Sequence, residues 1–215
     1  MVAPPGAGKG TQGVVIASHF DIPHIATGDL LRDHVARGTE LGQKVKSYVD
    51  KGELVPDDVV LAMVRTAMEA LDGGGYVLDG LPRTMEQAKA LYEIAQELDQ
   101  SADVALHLQA TDEELVRRLL ARAAAQGRSD DNAEVIERRL HLYYDVTEPI
   151  LAWYRERGIL VTVDAMRPAD QVGRQILTAL EVMKQMREGN PELARQPIDL
   201  TGLGAAFGVQ QKAAG

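Results

Sequence analysis

The sequence predicts an α/β fold in which helices cover both faces of a parallel sheet, giving three layers. Short apolar runs alternate along the chain with segments whose apolar residues recur at helical spacing. A glycine-rich stretch precedes the first helical segment, and an acid directly follows one of the apolar runs. This alternation is typical of strand–helix–strand units. One core with small insertions is expected, because 215 residues exceed the roughly 100–200 of one domain without reaching two.

The glycine-rich stretch, residues 3–12, reads Ala-Pro-Pro-Gly-Ala-Gly-Lys-Gly-Thr-Gln. Backbone N–H groups of such small residues can surround a phosphate, while Lys9 reaches the terminal phosphates and a helix begins behind them. The pattern is close to the P-loop, with Ala3 at the first glycine position and Gly10 after the lysine. The hydroxyl therefore comes one place late, at Thr11. By its spacing alone, the stretch could also be an ordinary turn before a helix.

Hydrophobic periodicity predicts four helices and one short extended piece before the first buried strand. These segments cover residues 8–20, 22–25, 27–38, 40–50 and 57–70. The first helix is expected to bury Val14, Val15 and either Ala17 or Ser18. Thr27 is a suitable N-cap for the second helix.

The rest of the chain alternates between strands and helices. Strands are predicted at residues 76–78, 104–108 and 159–163, and helices at 84–98, 112–125, 133–154 and 169–187. Leu115, Leu119 and Leu120 share one helix at helical spacing, and Pro149 should kink the long helical stripe. Asp79 ends the first of these strands, where a parallel sheet faces its ligand crevice. Residues 186–215 are expected to form a mostly disordered tail.

Composition narrows the function classes. A net charge of −9 argues against nucleic acid or an anionic membrane as the main partner. The absence of cysteine rules out a disulfide framework and a thiolate zinc site, and it is compatible with a reducing compartment. The sequence contains no run of 18 apolar residues, and such a run would be needed to suggest a membrane span. A soluble cytoplasmic protein is the prediction.

Four stretches carry a family resemblance. They are residues 4–12 (Pro-Pro-Gly-Ala-Gly-Lys-Gly-Thr-Gln), 27–32 (Thr-Gly-Asp-Leu-Leu-Arg), 78–83 (Leu-Asp-Gly-Leu-Pro-Arg) and 127–132 (Gly-Arg-Ser-Asp-Asp-Asn). In this order and spacing, residues 3–185 resemble the nucleoside monophosphate kinases, most closely the short-lid adenylate kinases. The resemblance implies Mg²⁺-dependent transfer between ATP and AMP to give two ADP, on a monomeric P-loop fold. It also implies a nucleotide-binding insertion at residues 27–56 and a short lid at 122–132.

The resemblance also implies residue roles. The catalytic set is Lys9, Asp79, Arg83, Arg122, Arg128 and Arg139. The ATP-binding set is Gly6, Ala7, Gly8, Lys9, Gly10, Thr11, Arg118, Arg122 and Arg167. The AMP-binding set is Thr27, Arg32, Leu54, Val55, Gly80, Arg83, Gln87, Arg128 and Arg139. Asp79 would orient water on the Mg²⁺ ion. Asp130 and Asp131 would either cap the following helix or hold the closed lid to its arginines.

Two positions bear on the acceptor nucleotide. Thr27 and Gln87 are similar to residues of adenylate kinases, and an amide can pair with the adenine edge as donor and acceptor together. AMP is therefore the expected acceptor, with UMP and CMP as the alternative. The ten residues 123–132 leave no room for a zinc-binding lid, so no structural metal is expected.

The chain departs from the family at its first residues. Family members begin with a strand of roughly five or six apolar residues, whereas only Met1 and Val2 precede Ala3 here. Three interpretations of this difference are open. The start is misassigned or trimmed, residues 198–209 repair the sheet, or the chain is a nucleotide-binding remnant with little turnover. Leu81 stands where the family usually has an aromatic residue, and Ala165-Met166 replaces a common Gly-Thr; both changes are expected to be mild.

Overall fold

The computed structural model describes residues 1–71, 73, 75–126, 132–189 and 198–201. The predicted alternation of strands and helices is confirmed. The α-helices are α1 (Lys9–Phe20), α2 (Thr27–Ala36), α3 (Glu40–Lys51), α4 (Asp57–Glu69), α5 (Met85–Glu97), α6 (Asp112–Gln126), α7 (Ala133–Leu142), α8 (Ile150–Glu156) and α9 (Ala169–Gly189). The strands are β1 (His24–Ala26), β2 (Val77–Asp79), β3 (Ala105–Gln109), β4 (Leu160–Asp164) and β5 (Ile198–Asp199). No described helix is long and apolar enough to cross a membrane.

The strands pair in parallel. β1 pairs with β2, and β3, β4 and β5 follow one another in a second set. Met1 and Val2 lie between the two sets, where the Met1 ammonium donates to the carbonyl of Leu78 at 2.6 Å. The Val2 N–H donates to the carbonyl of Leu106 at 2.9 Å. These two residues therefore connect β2 to β3.

The core has several clusters. The largest packs β3 and β4 against α1, α6 and α9, with Leu108, Val163 and Ile176 fully buried. A second lies where β1 and β2 meet α4 and α5. The insertion after β1 has a small cluster of its own around Val45 and Val55. The insertion can therefore keep its internal packing if it moves relative to the sheet.

The predicted core face of α1 is wrong for two of its residues. Val14 and Val15 of α1 are 59% and 36% exposed, whereas Ile16 and Ala17 are buried. The buried face follows the contacts of α1 with α9 and β2, and these contacts are not visible in the local pattern. Leu120 is 47% exposed, whereas Leu115 and Leu119 on the same helix are buried. One residue along a helix turns a side chain by about 100°, enough to leave the core face.

Thr27 is not the N-cap of α2. Ala26 occupies that position, without a side-chain hydrogen bond, and Thr27 is the first helical residue. The Thr27 hydroxyl instead donates to the backbone carbonyl of Asp79 at 3.1 Å. The contact exists because Ala26 and Asp79 are paired across the parallel strands β1 and β2. Thr27 therefore joins the insertion to the end of β2.

The expected kink before Pro149 takes the form of a π-helical segment, Tyr143–Thr147, between α7 and α8. The N–H of Glu148 donates to the carbonyl of Tyr143 at 2.7 Å. Proline cannot donate to the preceding turn, so the helix is interrupted there.

The C-terminal region differs from the expectation of a disordered tail. Helix α9 continues to Gly189, and Ile198–Asp199 adds a parallel strand to the outer edge of β4. Leu200 is buried and its N–H donates to the carbonyl of Thr162 at 2.8 Å. Ile198 of β5 and Leu200, directly after it, pack on the largest core cluster. This packing holds β5 against the sheet. Residues 202–215 lie outside the described part of the chain.

Helix α6 is longer than expected. It reaches Gln126, so residues 123–126 are helical and do not belong to a loop. Arg128, Asp130 and Asp131 lie outside the described residues. The lid assignment to 122–132 stays a prediction.

Candidate active site

A cleft of about 820 Å³ lies at the carboxyl ends of β1, β2 and β4. The loop before α1, the end of β2, and residues from α2, α6 and α7 form its walls. Its volume falls within the roughly 300–1,000 Å³ of small-molecule sites. A second cavity of about 50 Å³ adjoins it between the insertion and α5. The crevice therefore has a large chamber and a small annex beside the insertion.

Glycine is required in the loop that faces the cleft. Gly6 has a φ of 85° and Gly8 a φ of 98°, the left-handed region that favours glycine. A Cβ on Gly6 would lie 2.8 Å from the backbone oxygen of Leu115. Gly8 is the N-cap of α1, so the loop leads directly into a helix N-terminus. Its backbone dipoles favour an anion at this end.

Lys9 lies at the start of that helix and is half-buried. Its Nζ donates to the carbonyl of Ala3 at 2.6 Å and to that of Pro4 at 3.0 Å. Burial lowers the pKa of Lys9 to about 8, and Asp79 partly opposes this shift. Three arginines, Arg83, Arg139 and Arg122, lower the same pKa further. A region where cations repel one another across an open cleft is suited to a polyanion.

Arg83 faces the same cleft from the loop after β2. Its Nε donates to the carbonyl of Gly80 at 2.9 Å. Burial lowers the pKa of Arg83 to about 10; Arg139 and Arg32 act in the same direction, and Asp79 opposes them. Arg32 pairs with Asp29 at 2.5 Å on α2. Arg83 is thus a second half-buried cation, close to the insertion.

Asp79 is the acid predicted at the end of β2. Its side chain is 13% exposed, and its Oδ2 lies 4.0 Å from His24 Nε2. Within the described residues, no group of three or more acids or histidines could hold a metal ion by itself. Mg²⁺ is normally held by one or two carboxylates together with substrate phosphates and water. A single carboxylate beside the phosphate loop fits that requirement.

Arg118 of α6 is held by two partners. Its Nε donates to Glu114 at 2.7 Å, and its Nη2 donates to the carbonyl of Ala165 at 2.8 Å. Hydrogen bonds from Arg117 and Arg118 lower the pKa of Glu114 to about 2. The guanidinium therefore has a fixed position between α6 and the loop after β4.

The structure brings the described members of the predicted site together. Those that line the larger cleft are Gly6, Ala7, Gly8, Lys9, Gly10, Thr11, Arg32, Leu54, Asp79, Gly80, Arg83, Arg118, Arg122, Arg139 and Arg167. Thr27, Val55 and Gln87 line the small annex. Arg128 lies outside the described residues. The individual roles stay predictions.

Sequence reasoning missed three residues that position this site. Glu114 precedes Arg118 by four residues, a helical pairing that the spacing could have revealed. Thr147 is a buried polar residue within an apolar stripe, and its hydroxyl contacts Arg83. Asp57 looked like an ordinary helix start, and no local signal indicates its contact with Gln87, 30 residues away.

The fold and the cleft define a P-loop phosphotransferase acting on nucleotides. The sequence model of the adenylate kinase family matches residues 1–159. The chain is 45% identical over 182 residues to the adenylate kinase of Thermobifida fusca, covering 84% of this chain and 96% of the relative. It is 46% identical over 181 residues to that of Leptospira biflexa, with 84% and 97% covered. The Thermus thermophilus adenylate kinase is 42% identical over 182 residues, with 85% and 96% covered.

The chain belongs to the adenylate kinase family. The family resemblance stated from the four sequence stretches is thereby confirmed.

Proposed function

We propose that the chain catalyses the reversible, Mg²⁺-dependent transfer of a phosphoryl group from ATP to AMP, giving two ADP. The supporting observation is the convergence of partly buried cations on one cleft. Lys9 and Arg83 both have lowered pKa values, and each is affected by Arg139. Because the whole chain carries a net charge of −9, this positive region is local. It matches the charge of two facing polyphosphates.

Phosphoryl transfer requires that two polyanions be held in line and that their charge be screened. In the proposed arrangement, the loop of residues 6–11 and Lys9 hold the β- and γ-phosphates of ATP. Arg118 and Arg167 lie towards the ATP base. Arg32 and Arg83 hold the AMP phosphate, since a guanidinium can grip phosphate oxygens in a bidentate manner. Arg122 and Arg139, with Arg128 of the predicted lid, screen the transferred group.

Mg²⁺ would be held by nucleotide phosphates and water, with Asp79 orienting that water. When bound, the ion would neutralise phosphate charge during transfer. Asp79 also opposes the lowering of the Lys9 pKa. It would therefore help to keep the Lys9 ammonium protonated for contact with phosphate.

Binding of the acceptor base requires motion of the insertion. The annex of about 50 Å³ has room for fewer than two waters, at roughly 30 Å³ of liquid volume each, and is therefore too small for a base. We infer that residues 27–56 move outward to admit AMP and close again over it. Closure of this insertion and of the short lid at 122–132 would exclude water, which would otherwise hydrolyse ATP.

A coupled assay tests the function. Purified protein is supplied with MgATP and, in turn, AMP, CMP and UMP. Rapid ADP formation with AMP is the expected result. Faster turnover with CMP or UMP would indicate a UMP-CMP kinase, and nucleotide binding without turnover would indicate a remnant.

Assembly and location follow the family resemblance. We expect a cytoplasmic monomer without nucleic-acid or membrane partners. Size-exclusion chromatography with light scattering tests the monomeric state, since a mass near 23.3 kDa is expected.

A further inference from the structure

The side-chain amide of Gln87 is held by two partners of opposite hydrogen-bonding character. Its Oε1 accepts the backbone N–H of Arg83 at 2.7 Å, and its Nε2 donates to Oδ1 of Asp57 at 2.6 Å. A backbone N–H can only donate, and a carboxylate can only accept. Reversing the amide would set donor against donor and acceptor against acceptor. The orientation is therefore dictated by the two partners.

Asp57 is itself fixed in place. The Thr84 hydroxyl donates to its second oxygen, Oδ2, at 3.3 Å, and the same hydroxyl accepts the N–H of Gln87 at 3.0 Å. Asp57 begins α4, directly after the insertion, and Gln87 lies in the first turn of α5. Gln87 is 2% exposed, so its contacts with Arg83 and Asp57 are shielded from bulk water. The Asp57–Gln87 pair is thus a rigid contact between two helix starts.

The fixed amide retains a directional pattern. An amide has two N–H donors and two acceptor lone pairs, and the contacts with Arg83 and Asp57 use one of each. Gln87 lines the small annex together with Leu54 and Val55. Adenine and cytosine present a ring-nitrogen acceptor beside an amino donor, whereas hypoxanthine, guanine and uracil present an N–H donor beside a carbonyl acceptor. The two patterns are reversed relative to each other, so for a base held in one place by its ribose a fixed amide can match only one of them. With AMP as the proposed acceptor, that is the adenine and cytosine pattern.

We propose that Asp57 is a specificity-determining positioning residue. By preventing reversal of the Gln87 amide, it makes the annex favour bases of the adenine and cytosine pattern over those of the hypoxanthine, guanine and uracil pattern. This proposal rests on the proposed function, in which Gln87 meets the base of the acceptor nucleotide. Discrimination between purines and pyrimidines by size depends on other contacts in the annex.

Two matched pairs of nucleotides isolate the effect, because AMP and IMP are both purines, and CMP and UMP are both pyrimidines. Their dissociation constants are measured by calorimetry, and kcat/KM is measured with MgATP. The wild type should prefer AMP to IMP and CMP to UMP. In Asp57→Asn, the asparagine can accept a hydrogen bond from Gln87 or donate one to it, so the Arg83 N–H alone still opposes reversal of the amide. Both preferences should then fall by about 10- to 100-fold, the equivalent of one hydrogen bond to a charged group.

Two variants serve as controls. Asp58→Asn changes the exposed acid at the next position of α4, and it should keep the wild-type preferences. Asp57→Glu keeps an acceptor-only group, and it should restore most of the preference lost in Asp57→Asn. A purely structural role of Asp57 would weaken all four nucleotides alike and lower the melting temperature.

The proposal is overturned if Asp57→Asn keeps both wild-type preferences, or if it loses all four nucleotides equally. It is also overturned if the wild type binds AMP and IMP equally well, a result that requires no variant to fold. Failure of the proposed function is a separate outcome, because it would appear as absent turnover with AMP while the binding preferences are still measurable.

Discussion

The hydroxyl of Thr147 donates a 2.8 Å hydrogen bond to the backbone carbonyl of Arg83. Thr147 ends the π-helical segment between α7 and α8 and is 7% exposed. Because Gln87 accepts the Arg83 N–H at 2.7 Å, both backbone polar groups of Arg83 are held. The guanidinium therefore extends into the cleft from a fixed base.

Thr147→Val tests this support. Valine keeps the branched shape and removes the donor, leaving the Arg83 carbonyl without its side-chain partner. The free energy of unfolding should fall by about 1–3 kcal/mol, the cost of a buried polar group left unpaired. The KM for AMP should rise more than the KM for ATP. Urea unfolding and steady-state kinetics measure the two effects.

Thr66→Val is the matched control, because the Thr66 hydroxyl bonds to the Ala62 carbonyl at 3.0 Å on an exposed face of α4. It should leave both KM values unchanged. Equal KM values for AMP in Thr147→Val and the wild type would refute the support of Arg83.

Lys9 should destabilise the free protein at neutral pH. Burial lowers its pKa from 10.5 to about 8, so between these pH values the unfolded chain binds more protons than the folded one. The contribution of Lys9 to stability therefore rises with pH across that window. Lys9→Met should abolish turnover, yet raise the free energy of unfolding at pH 7 by about 1–3 kcal/mol.

Urea unfolding at pH 7 and at pH 10.5 measures the Lys9 effect, and the gain from Lys9→Met should shrink at the higher pH. Lys89→Met changes an exposed lysine of α5 and should leave stability nearly unchanged. A loss of stability in Lys9→Met at pH 7 would contradict the prediction.

His107 should make the protein sensitive to acid. Burial lowers its pKa from 6.5 to about 4, with Lys9 and Arg155 acting in the same direction and Asp199 opposing them. Between pH 4 and 6.5 the unfolded chain therefore binds more protons, and stability falls as the pH drops. His107→Gln offers another polar group to the Tyr143 hydroxyl, 3.1 Å from Nε2 in the wild type, and removes the titration.

Melting temperatures between pH 4 and 6.5 should vary less with pH in His107→Gln than in the wild type. His141→Gln replaces an exposed histidine of α7 and should keep the wild-type dependence. An unchanged dependence in His107→Gln would assign the acid sensitivity to other groups.

Local signals predicted most of the fold, and long-range contacts account for the rest. Helical spacing placed α9 well, but it could not tell that Val14 faces outward, since the buried face of α1 depends on α9. Strand β5 was missed because two residues are too few to show a hydrophobic period. The strand forms by pairing with the outer edge of β4. In the site, the phosphate loop is contiguous and visible in the sequence. The Asp57–Gln87 and Thr147–Arg83 contacts join residues far apart in the chain.

Lys9→Ala and Arg83→Ala should each reduce turnover by about 10³–10⁵-fold, the range of arginines that stabilise phosphoryl transfer. Arg174→Ala is the control, because Arg174 is exposed and pairs with Asp170 at 2.9 Å on α9. It should retain wild-type rates in the coupled assay. Near-normal turnover in Arg83→Ala would remove its assignment to the AMP phosphate.

Phosphorus NMR of MgATP and AMP incubated with the purified chain shows directly whether the phosphoryl group passes from ATP to AMP. With equimolar ATP and AMP, both should decline together and two ADP should form for each AMP consumed. ADP alone, at the same total nucleotide concentration, should approach the same final mixture. Release of inorganic phosphate from ATP while AMP stays constant would contradict the proposed transfer.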